Sequence, residues 1–193
     1  MGRNPVSVLV VGENRAAVEA ELVAGRLACP VCGGPLVRHG WARWRQVRTL
    51  DAERALRPRR AWCARCAATH VLLPAWAVPR RRDAAEVILA ALVAKATGSG
   101  HRVIAVALRR PAATVRGWLR RAAARAEVTR VAATIWLGVL EVGEPTVLAP
   151  TGSPVGDGLD ALGSALAAAR RRLGRQDCPG VLGLLAGFCA PDG

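Results

Sequence analysis

Apolar and polar positions change period several times along the chain, and each change predicts an element. Residues 6–11 are almost continuously apolar over strand length, and residues 15–24 fit a short helix. Residues 29–79 are dense in Cys, Gly, Pro, Trp and Arg, with short candidate strands at 36–38, 41–48 and 56–62. After Arg80-Arg81-Arg82 the pattern turns helical. Asp83 can cap a helix, Glu86 three residues later completes a capping-box pattern, and Val87, Ile88, Ala91 and Leu92 form one apolar face. Thr97, Gly98, Ser99 and Gly100 break that helix. A short helix is expected over 101–108, and after Arg109, Arg110 and Pro111 a third runs to about Arg125. Residues 128–142 predict a mostly apolar helix, 144–158 a Pro- and Gly-rich loop, and 160–173 and 181–189 two more helices. There is no internal repeat.

The expected fold is α+β: a small β module followed by a mainly α-helical domain. Four segments are expected: a strand–helix lead-in (1–25), a ribbon (26–79), a helical unit (80–126) and a C-terminal helical region (127–193).

Charge sharpens the picture. The chain is 52% hydrophobic with a formal charge of +14, and Lys95 is the only lysine among 28 basic residues. Residues 26–125 hold 21 basic and 4 acidic side chains, whereas the other 93 residues are net −3. A uniform compositional bias would not segregate charge in this way. A concentrated basic region is the footprint of a polyanion binder. The opening residues carry no long apolar segment, and the longest apolar run, 131–140, is about half a membrane span. A cytoplasmic, nucleoid-associated protein with no membrane partner is expected.

Cys29-Pro-Val-Cys32-Gly33-Gly34 and Cys63-Ala-Arg-Cys66 are two Cys-x-x-Cys pairs. Two intervening residues allow a tight turn with both sulfurs on one side, and glycine suits the turn that follows. Four thiolates complete a tetrahedral structural zinc site and leave no open position for catalysis. The 30 residues between the pairs exceed the usual spacing of roughly 15–20 but suffice for short strands. One structural Zn2+ on Cys29, Cys32, Cys63 and Cys66 is therefore expected, substituting for an apolar core. Redox-active pairs are the alternative, but no thioredoxin-like strand–helix pattern surrounds them. His39 and His70 are expected as polar strand residues rather than ligands, and Cys178 and Cys189 as structural or incidental.

Residues 101–121 fit a helix-turn-helix. Ala105 is small enough for a helix crossing, Leu108 precedes the turn, and Val115, Trp118, Leu119 and Ala122 share one face of the third helix. Ala113, Thr114, Arg116, Gly117 and Arg120 are the candidate DNA-facing set. Arg116 and Arg120 can reach guanine edges or phosphates. Arg109, Arg110 and Arg121 are candidate phosphate contacts. Arg109 stands where such turns often carry glycine, so a left-handed backbone there is strained. A plain three-helix bundle with a solvated arginine face is the alternative.

These residues also resemble a known family. Cys29-Pro-Val-Cys32-Gly-Gly, Arg38-His-Gly-Trp41, Arg57-Pro-Arg-Arg-Ala-Trp-Cys63-Ala-Arg-Cys66 and Thr69-His-Val-Leu-Leu-Pro74 resemble the zinc-ribbon N-termini of bacterial insertion-sequence transposases. The whole chain looks like a group of uncharacterised actinobacterial proteins sharing a domain of unknown function. The transposase resemblance covers roughly residues 26–125. It implies zinc on the four cysteines and double-stranded DNA contacted by the third helix. Such transposases also carry a catalytic domain in which three carboxylates hold two metal ions. The stretch after Arg125 supplies Glu127, Glu141, Glu144, Asp157, Asp160, Asp177 and Asp192 on helices and loops, with no strand series to array them.

The expectation is a zinc-dependent DNA-binding protein, a regulator or transposase-type recognition module, with no catalytic site. A protein-interaction adaptor, a non-catalytic subunit of a transposition or recombination complex, a nuclease completed by a partner, and RNA binding stand as alternatives. Trp41 and Trp44 are expected to shield the ribbon core, with base stacking as the other reading. The C-terminal helices complete the helical core or form a self-association surface, which leaves a homodimer open.

Overall fold

The structure, a computed structural model, describes residues 6–141 and 146–173. It is α+β. Six strands and a short helix come first: β1 (Val6–Val11), α1 (Arg15–Val23), β2 (Leu36–Trp41), β3 (Arg45–Arg48), β4 (Glu53–Leu56), β5 (Arg59–Cys63) and β6 (Thr69–Pro74). Among the described residues four helices follow: α2 (Ala85–Ala96), α3 (His101–Ala107), α4 (Ala112–Leu140) and α5 (Pro154–Leu173).

The main sheet has the order β1-β6-β5-β2, and β3 and β4 form a separate hairpin. β1 runs parallel to β6, with Ser7 opposite His70 and Leu9 opposite Leu72, while β5 is antiparallel to both its neighbours. The first strand and helix were expected as a separate lead-in. Instead β1 is an edge strand of the ribbon's own sheet, and α1 covers it. Asn14 caps α1 by accepting from the Ala16 and Ala17 amides, and Val18 and Leu22 face inward. They join Val11, Leu36, Ala61, Leu72, Cys29 and Cys63 in a small core.

A larger core lies among the helices. Val87, Ile88, Ala91 and Leu92 of α2 are buried as their spacing predicts, together with Ile104 and Ala105 of α3. α4 buries Val115, Trp118, Ala122, Ala126, Thr129, Ala133, Leu137 and Leu140 at spacings of three or four, the seam of a helix packed along its whole length. α5 covers the later part of that seam. Val47 of β3 and Val78 also enter this core, so the hairpin belongs with the helices and the expected boundary at 79/80 falls inside a shared core.

Two further boundaries move. The expected break at 126/127 lies in mid-α4, because nothing between Arg125 and Val128 terminates a helix. The loop expected over 144–158 ends earlier, since α5 begins at Pro154. There Ser153 Oγ accepts from the Gly156 amide at 3.0 Å, and proline occupies the first helical position, where no amide is needed. The helix expected over 181–189 lies outside the described residues.

Asp83 does not cap α2. The cap position is Ala84, with no side-chain hydrogen bond, and Glu86 instead accepts from the Leu50 amide at 3.2 Å. Asp83 is 3% exposed and binds two arginines, as described below.

Candidate metal centre and basic helical face

The two Cys-x-x-Cys turns share one backbone design. In the first, the Cys29 amide donates to Gly34 O at 2.7 Å, and Gly33, four residues after Cys29, has φ +71°. In the second, the Cys63 amide donates to Ala68 O at 3.0 Å, and Ala67, four residues after Cys63, has φ +57°. Each knuckle therefore needs a left-handed residue just past its second cysteine. Glycine adopts that conformation freely in one knuckle, and alanine holds it against strain in the other. Gly34 is constrained in another way: a Cβ there would lie 3.1 Å from Arg65 Cβ and 3.3 Å from Cys63 Sγ.

The knuckles bring Cys29, Cys32, Cys63 and Cys66 together with all four sulfurs within 4.8 Å of one another, and the four can hold one metal ion. Cys29 Sγ lies 3.6 Å from Cys66 Sγ, and Cys32 Sγ lies 3.4 Å from Cys63 Sγ. A disulfide needs about 2.05 Å. A tetrahedron with metal–sulfur bonds of about 2.3 Å has edges of about 3.8 Å. The observed spacing is close to that tetrahedron and far from a disulfide. Cys29 and Cys63 are buried, whereas Cys32 and Cys66 are half-buried. Cys178 and Cys189 lie outside the described residues.

Electrostatics within the cluster are polarised. The Cys66 backbone amide, ahead of the other donors, pulls the Cys63 thiol down to about 7. Cys66 is pushed up to about 12: the Ala68 amide lowers it, but burial and the sulfurs of Cys32, Cys29 and Cys63 outweigh that amide. One thiolate is easily formed here, while a full set needs a cation at its centre.

His70, on β6, is fully buried beside the cluster. Its Nε2 lies 3.3 Å from Cys29 Sγ and its Nδ1 lies 2.6 Å from Ser7 Oγ on β1. Burial lowers its pKa and favours the neutral ring. With the proton on Nε2, the imidazole donates to the Cys29 sulfur and accepts from the Ser7 hydroxyl. The expectation of a polar strand residue places His70 correctly on a strand and misses this contact. No local signal marked it: only the pairing of β6 with β1 and β5 brings His70 beside Cys29 and Ser7. His39 is exposed on β2.

The α3–α4 region presents a basic face. Arg109 has φ +52°, the strained left-handed turn expected from the sequence. Arg109, Ala113, Arg116 and Arg120 are exposed, and Thr114 and Gly117 are half-buried. Among the described residues, Arg109, Arg116 and Arg120 have no ion-pair partner. One expected contact is otherwise engaged. Arg110 Nε donates to Asp83 Oδ1 at 2.6 Å, its Nη2 to Thr49 O at 3.1 Å and its Nη1 to Leu108 O at 3.0 Å. Its side chain is 10% exposed, so it ties the turn to the β3–β4 hairpin. Arg121 folds back over Gly117, where a Cβ would meet its Nη2 at 3.1 Å.

Among the described residues, three of the C-terminal carboxylates have separate partners. Glu127 pairs with Arg130 at 2.6 Å, Glu141 accepts from Thr146 and Arg171, and Asp157 accepts from Thr151. Among the described residues the four cysteines form the one group of three or more His, Cys, Asp or Glu side chains placed to hold a metal. No helix among the described residues is long and apolar enough to cross a membrane.

Residues 29–124 match a family model described as a domain of unknown function, DUF6431. The match begins at the first cysteine of the cluster and ends within α4. No curated protein and no solved structure matches the chain.

Proposed function

We propose that this is a zinc-dependent DNA-binding protein without catalytic activity, in which Cys29, Cys32, Cys63 and Cys66 hold one structural Zn2+. In this reading α3, its turn and the start of α4 act as a helix-turn-helix on duplex DNA. The observation that carries the reading is the pairing of faces on α4. Val115, Trp118 and Ala122 are locked into the core, while the opposite side offers Ala113, Arg116 and Arg120 to solvent with the arginines unpaired. The small side chain of Ala113, one turn before Arg116, lets the helix approach a major groove, and the arginines then reach base edges or phosphates. Arg109 sits at the turn as a phosphate contact. Arg110 is removed from the contact set, because its guanidinium is held by Asp83 and the Thr49 carbonyl. Zinc is favoured as the metal because four cysteine sulfurs at near-tetrahedral spacing suit it.

The test is fluorescence anisotropy of the zinc-loaded protein on random duplex DNA across a salt series. Each phosphate neutralised contributes about −0.9 to the slope of log affinity against log salt. The reading expects a steep slope, a weaker affinity in Arg116→Ala and Arg120→Ala, and little change in the distant exposed variant Arg171→Ala. Equal affinities in all four proteins, or no duplex binding at low salt, overturn it.

A further inference from the structure

A second feature lies on the β side of the molecule, away from the metal cluster and the α4 face. A cleft of about 240 Å3 opens between the start of α1, the end of β2, the β3–β4 hairpin and the residues after β6. Three of the chain's six tryptophans line it: Trp41, Trp44 and Trp76. Guanidiniums cover two of these rings. Arg15 lies 4.4 Å and Arg59 4.5 Å from the Trp41 centroid, and Arg54 lies 4.4 Å from that of Trp76. Trp44 differs from the other two. It is 63% exposed, and its nearest cation, Arg57, stands 5.8 Å off, shared with Trp41 at 6.0 Å.

The ribbon core accounts for some of this and not the rest. Arg59 pairs with Glu19 at 2.7 Å, so it and Trp41 form a packed wall. Arg15, Arg54 and Arg57 have no carboxylate partner among the described residues and are all exposed. A large aromatic left open beside unpaired cations forfeits burial and gathers like charge, and folding alone does not require either. An indole face beside exposed guanidiniums is the arrangement that recognises a flat aromatic ring carrying negative charge. The cleft is smaller than the roughly 300–1,000 Å3 of a typical site for a drug-sized molecule. That size suits one ring and its phosphate.

We propose that this cleft binds an unpaired nucleobase with its phosphate, the base stacking on Trp44 and the phosphate meeting Arg57 and Arg54. A base inside a duplex is stacked on both faces and cannot enter, so the site selects single-stranded nucleic acid or a free nucleotide. It is independent of the duplex reading for α4 and shares no residue with it.

The experiment uses the full metal-loaded chain and a fluorescent oligothymidylate of about ten nucleotides, within the length range of single-strand sites. Anisotropy is compared for wild type, Trp44→Ala, Trp44→Phe and Arg57→Ala, with duplex DNA titrated in parallel. Base stacking of ordinary strength predicts roughly five- to hundred-fold weaker binding in Trp44→Ala and recovery in Trp44→Phe, with duplex affinity unmoved. Trp44 is exposed, so its replacement leaves the core intact. Thymidine 5′-monophosphate is the competitor. Competition equal to the oligomer's per nucleotide assigns the site to free nucleotides, and competition by the oligomer far above that assigns it to a strand. Unchanged oligomer binding in Trp44→Ala overturns the proposal, as does a wild type that binds neither ligand.

Discussion

Asp83 Oδ1 accepts from Arg110 Nε at 2.6 Å, while its other oxygen accepts from Arg48 at 2.8 Å. One buried carboxylate thus fixes the β3–β4 hairpin, through Arg48, to the turn between α3 and α4, through Arg110. Breaking one partner of a buried pair leaves an uncompensated charge and costs about 3–5 kcal/mol. Asp83→Ala should therefore lower stability by about that amount in urea denaturation. A loss below about 1 kcal/mol would show the pair to be dispensable. Arg110→Ala should also destabilise, whereas a mere phosphate contact would leave stability unchanged.

Metal affinity should fall with acid, and the number of protons released should change near neutrality. Binding needs thiolates. Cys66, held at about 12, carries its proton throughout the working range and always releases it on binding. Cys63, held at about 7, is already a thiolate above that pH and carries a proton below it. The release on binding thus rises by about one proton as pH falls through about 7. Competition against a chromophoric chelator from about pH 8 to about pH 6 measures the slope. A slope that stays constant or flattens toward acid contradicts the assignment.

Ser7→Ala and His70→Ala should each weaken the metal site without removing a ligand. Groups that hydrogen-bond a ligand typically account for 10–100-fold in affinity, about 1.4–2.8 kcal/mol. His70→Ala also opens a buried cavity, so Ser7→Ala is the cleaner variant. It takes away the hydroxyl facing Nδ1 and leaves the ring in place. Unchanged zinc affinity in both would reduce His70 to packing.

Arg109→Gly should separate stability from binding. A non-glycine residue in the left-handed region is strained by roughly 1–2 kcal/mol, and glycine's extra unfolded-state entropy returns part of that, leaving a net gain of about 0.5–1 kcal/mol. The same variant removes one cation from the proposed duplex face, so the salt slope should fall by about 0.9. A more stable protein with an unchanged slope would take Arg109 off that face. Ala67→Gly, with the same backbone geometry in the second knuckle, should gain similar stability with no change in slope.

Local chemistry was legible in the sequence wherever it depended on neighbours along the chain. The two cysteine turns, the inward face of α2, the small Ala105 and the strained Arg109 all follow from spacing within a few residues. Long-range partners were not. β6 was missed because Thr69–Pro74 is buried on nearly every side and so lacks the alternation of a half-exposed strand. Its parallel neighbour β1 lies some sixty residues earlier. Asp83 looked like a cap because Glu86 follows at the right distance, but Arg110, 27 residues away, claims its carboxylate. The break expected in α4 rested on a change in apolar content, although no Gly, Pro or capping residue supported it. The exposed Trp44 shows the limit from the other direction: only the folded surface separates it from Trp41, which arginines cover.

The continuity of α4 has a mechanical consequence. Its 29 residues form a rod of about 44 Å, at 1.5 Å per residue. The arginines near its start and the seam that receives α5 near its end are therefore held in fixed rotational phase. One residue inserted at mid-rod would turn the distal half by about 100° and advance it by about 1.5 Å. Single-residue insertions and deletions there should do more damage than most substitutions. The rod fixes the direction in which α5 lies relative to the first turns of α4.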